Sequence, residues 1–139
     1  MTAGIDLGRP QVQVIAGDED VVRVRQLVRT VAVAAKLSLV DQTKLVTAAS
    51  ELARNTLVYG GGGSAEVAVF EDGRRRGVRI VFADEGPGIA DLDLALTDGY
   101  TTGGGLGLGL SGARRLVDEF DIDTAVGRGT RITATKWSR

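Results

Sequence analysis

The sequence predicts an α+β fold, a two-layer sandwich in which a mixed, mostly antiparallel sheet is covered by helices on one face. Three observations predict it. Apolar residues at helical spacing mark a pair of helices early in the chain and a single one near residue 110. Segments of strand character come as neighbouring pairs, at about 65–84 and 120–137, joined by turn residues. Glycine gathers at the joints between these segments. Helices in a pair beside strands in antiparallel runs describe segregated layers, not repeated strand–helix–strand units.

Gln11 to Ala16 alternates polar and apolar residues and reads as a first strand. Asp18 is placed to cap a helix with apolar positions Val21, Val24, Leu27, Val28, Val31 and Ala35. After a break at Ser38–Leu39, Asp41 is placed to cap a second helix running to about Tyr59, with Leu45, Ala49, Leu52 and Thr56 as its inner stripe. Gly60 to Gly63 stops it, since glycine enters left-handed backbone cheaply. Strands at about Ala65–Phe70 and Val78–Asp84 follow, joined by Glu71-Asp72-Gly73 and three arginines, Arg74 to Arg76. Those arginines read as a solvated hairpin tip. The stretch from 84 to 109 is glycine-rich. A helix is expected from about Gly109 to Asp118, with Leu110, Ala113, Leu116 and Val117 inward. Strands Phe120–Ala125 and Thr130–Trp137 close the fold around Val126-Gly127-Arg128-Gly129.

At 139 residues, one domain is expected: a short lead at 1–10, then a single domain over 11–139. Charged residues are 25% and hydrophobic residues 43%, an ordinary globular balance. The formal net charge of −1 supplies no field drawing the chain to nucleic acid or an anionic membrane, so neither is expected as a partner. There is no cysteine, hence no disulfide or thiolate chemistry, and no histidine, hence no imidazole base and no phosphohistidine within the chain. No apolar run approaches the ~18 residues of a membrane span, and Met1 to Pro10 lacks a signal peptide's apolar segment. A cytoplasmic protein is expected.

Four stretches carry chemistry. In Ser50-Glu51-Leu52-Ala53-Arg54-Asn55, Glu51 and Asn55 stand at i and i+4 and project from one helix face. An amide oxygen is a hard ligand suited to Mg²⁺ and a carboxylate accepts a proton, although such a pair is also common on any solvated helix. In Asp84-Glu85-Gly86-Pro87-Gly88, a carboxylate at a strand end can accept from an exocyclic amine such as that of adenine, with glycines admitting a flat ring. A plain turn uses the same residues. Thr101 to Leu110 holds glycine at 103, 104, 105, 107 and 109 and leads into a helix. That is a natural phosphate cradle or, more simply, a surface loop. Gly127-Arg128-Gly129-Thr130 is either a hairpin turn or a threonine set beside Asp84. Gly107 to Gly112 also matches G-x-G-x-x-G, but no strand precedes it and no doubly wound units surround it. A G-x-x-x-x-G-K-[ST] loop is absent.

Together and in this order, these stretches resemble the ATP site of the gyrase/Hsp90/histidine-kinase/MutL (GHKL) superfamily, whose fold is the Bergerat sandwich. The resemblance spans about Gln11 to Trp137. It implies ATP and Mg²⁺ as cofactors, Glu51 as general base and Asn55 as Mg²⁺ ligand. It implies Asp84 on the adenine amino group with Thr130 in support, and Gly86 and Gly88 shaping the base pocket. The segment Thr101, Thr102, Gly103, Gly104, Gly105, Leu106, Gly107, Leu108 and Gly109 would be the lid over the phosphates.

Within the superfamily, gyrase, MutL and Hsp90 relatives add a second domain that supplies a lysine, and sensor kinases need a phosphoacceptor histidine. The compact bacterial branch remains. Ser50 to Asn55, Asp98-Gly99-Tyr100-Thr101-Thr102, Gly105 to Leu110, Arg115 to Phe120 and the Lys136-Trp137 ending are similar to the switch serine/threonine kinases of the stressosome. This implies phosphorylation of STAS-domain scaffold or antagonist proteins, followed by release to activate a downstream phosphatase or other output protein. An anti-sigma factor that sequesters a sigma factor is the alternative, and a nucleotide-dependent scaffold without turnover is a third.

Overall fold

In a computed structural model, residues 9–91, 96 and 110–138 are described. The first strand, β1 (Gln11–Ile15), leads to α1 (Asp18–Ala34) and α2 (Leu39–Val58). A long hairpin follows, β2 (Gly63–Asp72) and β3 (Arg75–Asp84), then α3 (Leu110–Leu116), β4 (Glu119–Ala125) and β5 (Gly129–Trp137). The α+β sandwich is as expected, with one correction: the sheet is not mixed. Its order is β1-β2-β3-β5-β4 and every described pairing is antiparallel. The connectivity explains this. Two helices between β1 and β2 return the chain for an antiparallel neighbour. β3 and β4 point the same way, and β5 lies between them, antiparallel to both.

The helix starts differ from expectation by a few residues. Gly17, not Asp18, is the N-cap of α1, and the carboxylate that serves this end is Asp20. Its Oδ2 accepts from the amides of Ala16 at 2.8 Å and Gly17 at 3.2 Å, and these bonds, with Arg23, hold the Asp20 carboxyl below its usual range. Ser38, not Asp41, caps α2, accepting from the Asp41 amide at 3.1 Å. Between the helices Lys36 is left-handed (φ 64°), and the Leu37 amide donates back to the Ala32 carbonyl at 3.1 Å.

The stripes pack as the spacing requires. Val21, Val24, Val28 and Val31 of α1 are buried, as are Leu45, Ala49, Leu52 and Thr56 of α2. Against them lie rows of side chains set by register across the sheet. Ala65, Phe82, Ile132 and Ile122 form one row; Val67, Ile80, Ala134 and Phe120 form the next. Burying each Leu, Ile or Phe of this kind contributes roughly 1.5–3 kcal/mol. β1 inverts its alternation: its register puts Gln11, Gln13 and Ile15 on the helix side, so Val12 and Val14 are 65% and 61% exposed on the open face.

Each end of this apolar stack carries a polar row. At one end Gly63, Asp84, Thr130 and Thr124 stand side by side on four strands. At the other, the buried Lys136 ammonium lies 3.6 Å from Asp41 and 3.3 Å from Asp118. The open face at that second end stacks Arg75 over Trp137, 4.0 Å from the ring centre, with Phe70 beside it at 5.7 Å. No helix among the described residues is long and apolar enough to cross a membrane.

Candidate functional site

The row that contains Asp84 lies by the C-terminal turn of α2. Asn55 projects from that turn, and Thr56, buried, satisfies its hydroxyl on the Leu52 carbonyl at 3.0 Å. The helix then unwinds through Gly60 and the left-handed Gly61 and Gly62 (φ 77° and 105°). Gly60 is required here by close approach: a Cβ on it would run into the Asp84 carboxylate. Gly88 is required twice over, by a left-handed φ of 76° and by the Ala125 carbonyl where its Cβ would lie.

Asn55, Tyr59, Asp84, Ile89, Leu110, Thr130 and Ile132 line a small cavity of about 20 Å³. Among the described residues that is room for about one water. A larger cleft of about 590 Å³, lined by Gly60 to Ser64 and Ala83 to Glu85, shares Asp84 with it. Burial pushes the Asp84 carboxyl above its usual range, while hydrogen bonds from the amides of Gly86 (2.9 Å) and Thr130 pull the other way. The loop after β3 is tied down on both flanks. The Tyr59 hydroxyl donates to the Gly88 carbonyl at 2.7 Å, the Gly127 amide to the Pro87 carbonyl at 2.8 Å, and the Ile89 amide to Thr124 Oγ1 at 2.9 Å.

Of the residues singled out in the sequence, Asn55, Asp84 and Thr130 meet on this cavity wall, with Gly86 and Gly88 in the loop beneath it. Glu51 is half-buried one helical turn before Asn55, off the cavity lining. Thr101, Thr102, Gly103, Gly104, Gly105, Leu106, Gly107, Leu108 and Gly109 lie outside the described residues. Tyr59 and Thr124 were not anticipated. Tyr59 had a signal, its place four residues after Asn55 on the same helix face; Thr124 had none, because only strand register brings it here. Arg54 is exposed, and Arg75 and Arg76 at the hairpin tip bridge Asp72 at 2.9 Å and Glu71 at 3.7 Å.

A carboxylate, a threonine and an asparagine thus stand around one pocket, beside a helix that ends in glycines. Residues 40–138 match the family model of histidine kinase-, DNA gyrase B-, and HSP90-like ATPases. The chain belongs to that family. It is 45% identical over 120 residues to the serine/threonine-protein kinase RsbT of Bacillus subtilis (strain 168), covering 86% of this chain and 90% of that one. It is 31% identical to the anti-sigma F factor of Clostridium novyi (strain NT), over 76% of this chain and 81% of the relative. The crystal structure of the RsbU and RsbW domains of a Mycobacterium tuberculosis protein superposes with a TM-score of 0.65 at 24% identity. That match covers 94% of this chain but only 33% of the larger one, and it speaks for the fold alone. Within the family this chain is an ATP-dependent protein serine/threonine kinase of the partner-switching kind, with the anti-sigma relatives more distant.

Proposed function

We propose that this chain, with residues 11–139 as its kinase domain, transfers the γ-phosphate of ATP to a serine or threonine of a STAS-domain scaffold or antagonist protein in the cytoplasm. The observation that carries the site is the meeting of Asn55, Asp84 and Thr130 on one wall. Asp84, ionised, accepts from the adenine amine. Thr130 completes the base edge, and Gly86 and Gly88 let the ring approach the backbone. Among the described residues no three Asp, Glu, His or Cys side chains are grouped as a metal cage. A single hard oxygen from Asn55 suits Mg²⁺, which takes most of its ligands from phosphate and water. Bound there, Mg²⁺ would neutralise charge on the phosphates.

Glu51, one turn along the same helix, takes the proton from the incoming hydroxyl as its oxygen bonds to the γ-phosphorus and ADP leaves. Backbone amides of Gly105, Gly107 and Gly109, with the hydroxyls of Thr101 and Thr102, are assigned to the phosphates. Phosphorylation then weakens the hold on the scaffold, and the freed kinase engages a downstream phosphatase or other output protein.

The test is transfer of labelled γ-phosphate from Mg·ATP to a STAS-domain protein. Glu51→Ala is expected to lower the rate by about 10²-fold or more at near-unchanged ATP affinity. Asn55→Ala is expected to lose both rate and Mg²⁺-dependent affinity. Absence of transfer by a chain that binds ATP, together with capture of a sigma factor, would replace this reading with the anti-sigma one.

A further inference from the structure

We propose that Thr124 is a positioning residue for base recognition: its hydroxyl anchors the loop after β3 and turns the Thr130 hydroxyl towards the base as a donor. The inference rests on the reading of this pocket as the adenine site.

Thr124 Oγ1 has three polar neighbours. It accepts from the Ile89 amide at 2.9 Å, lies 3.1 Å from the Gly129 carbonyl and 2.9 Å from Thr130 Oγ1. A hydroxyl has one proton and two lone pairs, and Ile89 takes one lone pair. Two arrangements remain. If the Thr124 proton goes to the Gly129 carbonyl, Thr130 donates to Thr124 and presents only lone pairs to the cavity. If the Thr124 proton goes to Thr130, the Thr130 proton is free to face the cavity. Thr124 therefore decides whether Thr130 offers the pocket a donor or an acceptor.

The bound base selects between them. Asp84, beside Thr130 in the same cross-strand row, is an acceptor when ionised and takes the exocyclic amine of adenine. The next atom on that edge, a ring nitrogen with a lone pair, needs a donor, which only the second arrangement supplies. Guanine presents a carbonyl oxygen to the carboxylate and an N–H to its neighbour, the reverse pattern. The same Thr124 oxygen fixes the Ile89 end of the loop, so loop position and hydroxyl polarity are set by one atom. Thr124 is half-buried on β4, paired with Thr130 across the ladder.

The experiment is equilibrium displacement of a fluorescent ADP analogue by ATP and by GTP from the full chain. Thr124→Val keeps the shape and removes the hydroxyl. It is expected to weaken ATP roughly tenfold, the loss of about one hydrogen bond, and to leave the weak GTP affinity in place, so the ATP-to-GTP preference falls by the same factor. Thr124→Ser is expected to restore the preference. Where Thr124→Val does not melt cooperatively, Thr124→Ala serves in its place. A wild-type preference in the hydroxyl-less variant overturns the proposal, as does equal loss in Thr124→Ser, which would mark packing instead of the hydroxyl. Asp84→Asn separates the two readings. If it leaves ATP affinity unchanged, the base site itself is wrong and Thr124 falls with it. If it weakens ATP while Thr124→Val does not, only the role of Thr124 is overturned.

Discussion

Asp84 is a carboxylate whose surroundings oppose its charge while its assigned task requires it. Burial raises its pKa above 3.8, so the folded chain holds that proton more tightly than the unfolded chain does. Its contribution to stability is therefore complete below about pH 3.8 and is lost as pH rises through the raised value. Asp84→Asn is expected to melt higher than the wild type at neutral pH, with the two converging below that window, as thermal melts across pH would register. The same variant is expected to bind ATP some 10–100-fold more weakly, since the lost bond is charge-assisted. Wild-type ATP affinity is expected to fall on acidification while the variant's stays flat. Asp84, Asn55 and Thr130 were legible in the sequence because each stands in a local pattern with its own chemical reason. Thr124 was not, since a threonine in a strand is ordinary until the register shows its neighbours.

At the scale of elements, hydrophobic spacing located all the described helices and strands, and the errors lie at the ends. A carboxylate suits a helix start, so Asp41 reads as a cap; in the structure the serine three residues earlier has the extended backbone a cap needs (ψ 160°). Ser38→Ala is accordingly expected to cost about 1 kcal/mol, a fall of roughly 2–5 °C in Tm. ATP affinity should not change, because Ser38 and Asn55 sit at opposite ends of α2. The sheet's direction pattern was the harder inference. A helix leading from one strand to the next suggests parallel neighbours, and nothing local reveals that β5 enters between β3 and β4.

For the molecule as a whole, the apolar stack is closed at both ends by polar rows with different duties. The row of Asp84, Thr130 and Thr124 faces a cavity. The ion cluster of Lys136, Asp41 and Asp118 joins the start of α2 to the last strand and to the bend between α3 and β4. The Asp118 carboxylate also accepts from the Trp137 amide at 2.7 Å, and its own amide donates to the Thr135 carbonyl at 2.9 Å. Lys136→Met is expected to destabilise by about 3 kcal/mol, because it strips both carboxylates of the ammonium between them. Urea titration would measure that loss, and ATP affinity below the unfolding transition should stay at the wild-type value. A lysine at this point of the sequence reads as surface charge. Its burial at 3% exposure follows only from the register that turns it towards α2.

The chain has one tryptophan, and it belongs to the end of the sheet away from the cavity. Trp137 is 5% exposed, its indole N–H donates to Glu119 at 2.7 Å, and its strand carries it seven residues beyond Thr130, about 23 Å along the sheet. Fluorescence excited at the red edge, where tryptophan absorbs and tyrosine does not, therefore reports a single place. Emission will shift to longer wavelength when the sheet opens and will hold steady when the opposite end takes up a ligand. The protein carries its own optical gauge of unfolding, blind to occupancy, against which any binding signal can be read separately.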